Sequence, residues 1–339
     1  MDFDFNDEQR EIKSTAREFL AARFKPEKVR ELAESGSPYD EEIWKEMCEL
    51  GWPGIAISEE YGGQGLGAVE LVILQEELGY AIAPSPFVSN AYAGLVIEQA
   101  GSDEQRSRWL PGIASGEARG GAVISSDPDL IAGAAEGAAV LVVPEGDGAR
   151  LVEPEDAELE RLDLIDATRA YFKVTADGGD PLRGHISRSA DTAAVAFAAE
   201  LVGVAQRALD MAVDYAKERE QFGRPIGSYQ AVSHRLANML WDTEEARSLT
   251  YYAAWCADAE PESLPLAASM AKARASDAAT SVTHDAIQTF GGIGFTWEHD
   301  VHFLLKRARV SAQMLGTSAH HRERVAELVG LGERAAALT

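Results

Sequence analysis

Cysteine is nearly missing from this chain. Its 339 residues hold 2, Cys48 and Cys256, far apart in helical patterns, which excludes a disulfide framework and a cysteine-built metal site and points to a reducing compartment. Positive charge is also scarce: 31 Lys and Arg face 56 Asp and Glu, a formal net charge of -25. Bulk electrostatics therefore disfavours nucleic acid phosphates and anionic membranes, although a local basic patch could still hold an anionic ligand. The start of the chain has no basic segment leading into an apolar one, and no uninterrupted apolar run reaches membrane-spanning length. The expectation is a cytoplasmic protein with neither a membrane nor a nucleic acid partner. Hydrophobic residues, at 46%, suffice for a sizeable globular core.

What is present falls into three textures. Residues 1–120 read as an all-helical domain: Asn6 with Gln9 has the form of a capping box ahead of Ile12, Ala16 and Leu20, and Asp40 caps a helix that Gly51 stops. Apolar runs at Val69 to Leu78 and Phe87 to Ile97 predict buried helices. Residues 121–188 break into β-prone pieces, Gly121–Ile124, Ala138–Val143, Ala149–Pro154 and Ala170–Val174, which predict a small, shortened antiparallel sheet domain. Residues 189–339 return to long amphipathic stripes and predict a C-terminal four-helix bundle, making the fold mostly α.

Two segments stand apart from this packing pattern. Ala216 to His234, AKEREQFGRPIGSYQAVSH, gathers a cation (Arg219), amides (Gln221, Gln230) and aromatic rings (Phe222, Tyr229) around one interhelical turn, which suits a large anionic ligand with an aromatic part. Taken alone, a packed corner with a Gly stop and a Pro is the simpler account. Gln288 to Glu298, QTFGGIGFTWE, follows a helical run with no strand before it, so its glycines do not form a dinucleotide fingerprint. Gly291, Gly292 and Gly294 instead predict a helix stop followed by a close backbone approach that a Cβ would block.

Together these segments resemble the C-terminal helical domain of the acyl-CoA dehydrogenase family of flavoproteins. The resemblance extends to ELGWPGIAISEEYGGQGLG (Glu49 to Gly67), QEELG (Gln75 to Gly79) and WLPGIASGE (Trp109 to Glu117) in the first domain. It implies FAD as cofactor, contacted on its pyrophosphate and adenine half by Arg219, Gln221, Phe222, Tyr229, Gln230 and Gln288 through Gly292, including Gly291, largely on behalf of a neighbouring subunit. It also implies an acyl-CoA substrate, α,β-dehydrogenation of its thioester, and electron-transfer flavoprotein as acceptor.

That reaction needs a carboxylate to take the α-proton, a contribution of about 10²- to 10⁴-fold for a positioned base. In the commonest family pattern the base precedes a GlyThr pair, and Leu315 stands there in QMLGTSAHH (Gln313 to His321). A second family pattern places it early on the first helix of the bundle, where this chain has Ala193. Glu200 is two turns further on, roughly 10 Å along the axis, and reads as an exposed or capping carboxylate before it reads as a base; His320 and His321 read as solvated. Of the family segments that contact the flavin ring, only Ser125 to Pro128, SSDP, has any counterpart. The pattern resembles the base-less subunit of heterotetrameric (α2β2) acyl-CoA dehydrogenases of steroid side-chain degradation, working with a homologous catalytic subunit. A self-sufficient homomer with an atypical base and a non-catalytic scaffold are the other two expectations. No residue set with metal-ligand spacing occurs.

Overall fold

The computed structural model describes residues 4–37, 39–125 and 129–331; of the SSDP segment only Ser125 lies within them. Six helices open the chain: α1 (Asp7–Arg23), α2 (Pro26–Ser35), α3 (Glu41–Glu49), α4 (Ala68–Tyr80), α5 (Phe87–Ala100) and α6 (Asp103–Ser115). Their starts follow the capping chemistry of the sequence. Asn6 accepts from the Gln9 N–H at 2.8 Å while the Gln9 side chain accepts from the Asn6 N–H at 3.1 Å, and Asp40 accepts from the N–H groups of Glu42 and Ile43. α4 and α5 are buried almost all round, and the buried charges of α4 are met by ion pairs, Glu76 with Lys13 and Arg247 and Glu77 with Arg17.

A seven-stranded sheet follows, in the order β5-β6-β2-β1-β3-β4-β7. Its strands are β1 (Gly120–Ser125), β2 (Ile131–Gly133), β3 (Val140–Glu145), β4 (Gly148–Val152), β5 (Ala157–Leu162), β6 (Tyr171–Ala176) and β7 (Asp180–Pro181). The sequence had pointed to four strands, all antiparallel; β1 and β3 in fact pair in parallel. β2 and β7 are too short to show a period-2 pattern, and β5, AELERL, has a charged outer face that hides its alternation.

The last part holds α7 (Ser187–Glu218), a small hairpin of β8 (Glu220–Gln221) and β9 (Arg224–Pro225), then α8 (Gln230–Ala259), α9 (Leu264–Phe290), α10 (Val301–Ser311) and α11 (Ser318–Leu328). α7, α8 and α9 pack on one another, α10 lies across α7 and α9, and α11 lies against α9. α7 is long and apolar enough to cross a membrane by length and composition, but Glu200 and Arg207 interrupt its apolar run and 89% of its most apolar window is buried inside the protein. It is the central core helix. α4 crosses it so closely that a Cβ on Gly79 would lie 2.3 Å from the Glu200 carbonyl oxygen, and one on Gly203 would lie 2.0 Å from that of Glu76. This crossing locks the first domain onto the bundle.

Candidate active cleft and flavin-facing surface

α7 ends at Glu218 with Arg219 as its C-cap, and the chain reverses through the β8–β9 hairpin before α8 begins at Gln230. The turn residues Phe222 and Gly223 both have positive φ, 54° and 79°, the combination a two-residue hairpin requires. Glycine accepts that conformation freely, whereas a bulky aromatic residue is strained in it. Nothing in the fold compensates Phe222, whose side chain is 92% exposed. The base of the turn is braced: the Tyr229 hydroxyl donates to the Gln221 carbonyl at 3.0 Å, and the Arg224 guanidinium lies 3.9 Å from the centre of the Tyr229 ring. Arg219, Gln221, Gln230 and Gln288 are all exposed.

The second segment stands next to the first. Tyr215, one turn before the end of α7, has its ring 4.4 Å from that of Phe290 at the end of α9, and the His299 ring lies tilted against Phe290 at 4.2 Å. Gly291 then stops α9 with φ 66° and ψ -139°. Among the described residues nothing makes the expected close approach, since no atom lies within 4 Å of a Cβ built on Gly291 or Gly292. Phe295 and Trp297 beyond them are 80% and 62% exposed. The surface thus presents bare backbone, unburied aromatic rings and an Arg219 side chain with no ion pair among the described residues. Glycine backbone for a pyrophosphate, a cation for its charge and rings for an aromatic system fit FAD. A groove of about 810 Å³ runs alongside, lined by Tyr215, Glu218, Leu236, Leu240, Phe290 and His299.

A separate cleft of about 840 Å³ lies between the sheet and the bundle, lined in part by Tyr92, Ser125, Asp147, His185, Leu315 and His320. Leu315 adopts φ 52°, and its N–H donates to the Ile124 carbonyl at 2.8 Å, tying the turn after α10 to β1. A Cβ on Gly316 would come within 2.6 Å of His320 and 2.9 Å of His321, so glycine is required there. The turn is also held from behind. Fully buried Lys272 donates through Nζ to the carbonyls of Ala312 and Gly316, both at 3.1 Å, and to Ser276 Oγ at 3.2 Å. His321 Nε2 lies 2.9 Å from the Leu315 carbonyl. His321 is buried, contrary to the expectation of a solvated pair, while His320 is exposed. Burial, reinforced by the Lys272 charge, pushes the His321 imidazole down to about 4, so it is neutral at pH 7.

Neither position at which the family resemblance places the base carries an acid. Ala193 is buried on α7, and Glu200 is no exposed carboxylate. It is fully buried and fully engaged: Gln75 donates to it at 2.7 Å, Ser311 at 2.6 Å and Arg169 through both terminal nitrogens. Arg307 stands 3.8 Å away and pairs with Asp166 at 2.8 Å. Four elements thus meet at one buried set of two arginines and two carboxylates, and a carboxylate so occupied has no free lone pair with which to reach a substrate. Where α5 and α7 meet beside Arg169, Tyr171 and Phe197, the remaining space is about 20 Å³, room for one water. Among the described residues, Asp147, in the turn between β3 and β4, is the acid that lines the cleft.

Comparison with known proteins decides the family. Residues 6–117 match the model of the acyl-CoA dehydrogenase N-terminal domain and residues 185–330 that of the C-terminal domain. The chain belongs to the acyl-CoA dehydrogenase family. Family members are FAD-dependent oxidoreductases acting on acyl-CoA thioesters. The acyl-CoA dehydrogenase IpdE2 of Mycobacterium tuberculosis is 34% identical over 310 residues, 91% of this chain and 93% of that protein. FadE34 of the same organism is 34% identical over 319 residues, 86% of this chain but 42% of that protein. Among solved structures, a variant of the Tcur3481-Tcur3483 steroid ACAD superposes with a TM-score of 0.90 at 29% identity, covering 97% of this chain and 99% of that one.

The residues that sequence reasoning missed are Lys272, Arg307, Arg169 and Asp147. For Lys272 a signal existed, because it shares a helical face with Ala268, Ala275 and Ala279 on an otherwise buried stripe.

Proposed function

We propose that this chain is the base-less subunit of a heteromeric acyl-CoA dehydrogenase, completing the FAD site of a homologous catalytic subunit in an α2β2 assembly. The observation that carries the reading is a division within one chain. The flavin-facing segments are intact and turned outward, with Phe222 92% exposed, whereas the base position holds Leu315. Arg219 would pair with the FAD pyrophosphate, Gln221, Gln230 and Gln288 would hydrogen-bond along the cofactor, Gly291 and Gly292 would let it approach the backbone, and Phe222 would cover it. Tyr229 would act on the shape of the hairpin. When bound, FAD supplies the acceptor for the substrate's β-hydrogen. The partner would supply the base and the ring-binding strands, and electron-transfer flavoprotein would take up the electrons. Residues 1–120, 121–188 and 189–339 would form three domains of one protomer.

Relatives guide the substrate. A steroid ACAD superposes over nearly the whole chain, which supports a bulky, ring-bearing acyl-CoA. FadE34 is more than twice as long as the region matched here, leaving room in one polypeptide for a second unit of this size. Co-expression with its natural partner should yield a yellow heteromer that reduces an artificial electron acceptor, with the chain alone nearly colourless. Full activity from the chain purified alone would overturn the proposal.

Asp147 favours a second reading, a self-sufficient homomer in which a carboxylate at the cleft mouth replaces the usual base. Asp147→Asn would then collapse turnover by at least 10²-fold while leaving flavin content unchanged; under the heteromer reading it leaves turnover of the assembly intact.

A further inference from the structure

A cavity of about 200 Å³ lies behind the flavin-facing groove, enclosed by α1, the turn into α2, α4, α7 and α10. It is separate from the cleft at Leu315. Its walls are apolar, built by Leu20, Phe24, Val29, Ile82, Met211, Phe303 and their neighbours. Ile82 is held at φ 50°, a conformation that costs a β-branched residue energy and that concentrates at ligand-binding positions.

The charged groups around this cavity do not balance. Glu77 is engaged by Arg17 and Lys13, and Asp300 by Arg30. Lys25 and Arg207, which also line it, make no ion pair and no side-chain hydrogen bond among the described residues. The Arg207 guanidinium lies 5.3 Å from the centre of the Tyr80 ring, and that ring's hydroxyl is already committed to Asp210 at 2.8 Å. In a protein with a net charge of -25, two cations left without carboxylates beside an apolar chamber form a local reversal of sign.

We propose that this chamber binds a small carboxylate with an aryl or short alkyl body, the carboxylate pairing with Arg207 and Lys25 and the body filling the chamber. Size sets the class. A cavity of about 150 Å³ holds benzene, so 200 Å³ takes one ring with a short chain but neither a nucleotide nor a fused-ring acyl group. Arginine suits the role because its planar fork meets a carboxylate through two parallel hydrogen bonds. Since Tyr80, Arg207 and Met211 also line the flavin-side groove, an occupant would press on the wall of that groove from within.

The probe is 4-phenylbutyrate, titrated calorimetrically into the purified chain, with 4-phenylbutan-1-ol as the uncharged control. Saturable one-to-one binding of the acid is expected, at least about tenfold weaker for the alcohol and for Arg207→Gln, as befits loss of a charge-assisted contact. Ala21→Trp, on an exposed helical position at the mouth, should block the chamber without disturbing folding and abolish binding. Absence of saturable binding, equal affinity for acid and alcohol, or binding that survives Ala21→Trp would overturn the proposal. Because these readouts involve neither FAD nor turnover, they stand or fall independently of the heteromer reading.

Discussion

Lys272 offers the sharpest test of how the cleft is built. Its ammonium is fully buried, and burial pushes it from the usual 10.5 down to about 7, with the Glu200 charge acting the other way. Between those two values the folded chain binds fewer protons at this site than the unfolded chain, so its contribution to stability rises with pH across that window. Below about 7 the full penalty of burying the charge is present; above 10.5 it is gone. Lys272→Met keeps the length of the side chain and removes the titration. At about 1.4 kcal/mol per pKa unit, wild type should gain roughly 3 kcal/mol over the variant between pH 6 and pH 9.5. Urea unfolding followed by tryptophan fluorescence, at one protein concentration throughout, measures both proteins at each pH. Taking the difference cancels every other titrating group that the substitution leaves alone. A flat difference across that range would refute the reasoning. It would mean that the three acceptors at Ser276, Ala312 and Gly316 offset the burial completely and hold the ammonium charged.

Two further substitutions separate structure from cofactor binding. Glu200→Gln strips the charge from a buried set containing Arg169 and Arg307, and should destabilise the chain by about 3 to 5 kcal/mol, read as a lowered thermal midpoint; a stable variant with collapsed turnover would instead restore Glu200 as a base. Phe222→Gly relieves the strain of φ 54° and should stabilise the isolated chain by about 1 kcal/mol while lowering the FAD retained by the heteromer; unchanged FAD content would remove Phe222 from the flavin surface.

The parts of the fold that sequence made legible are those where the determinant is local. Asn6 and Gln9 find each other three residues apart, and the long stripes of the bundle repeat every turn. Gln221, Phe222 and Gly291 lie in interhelical turns outside the packed stripes, and the flavin role proposed for them rests on the family resemblance and not on the local pattern. The failures share one cause. The environment of Glu200 is hidden from the sequence because its partners Gln75, Arg169, and Arg307 with Ser311 come from three other places in the chain, and nothing within one turn of Glu200 announces them. β2 and β7 exist only as partners of β1, β6 and β4, so their three and two residues carry no signal of their own.

The same distinction bears on function. The turn at Leu315 lacks an acid, yet its shape is enforced from three sides: by Lys272 and His321 behind it, by Ile124 through the Leu315 N–H, and by the steric need for glycine at 316. A turn that had lost every role would not require this many independent constraints to be satisfied at once. What those constraints fix is the position of the backbone between the bundle and β1. That backbone forms a wall of the 840 Å³ cleft and joins the sheet to the helices that carry the proposed flavin surface. Chemistry at the turn and geometry of the turn are therefore separable in this chain. A subunit whose task is to present Arg219, Phe222 and Gly291 to a partner needs the geometry, and can do without the carboxylate.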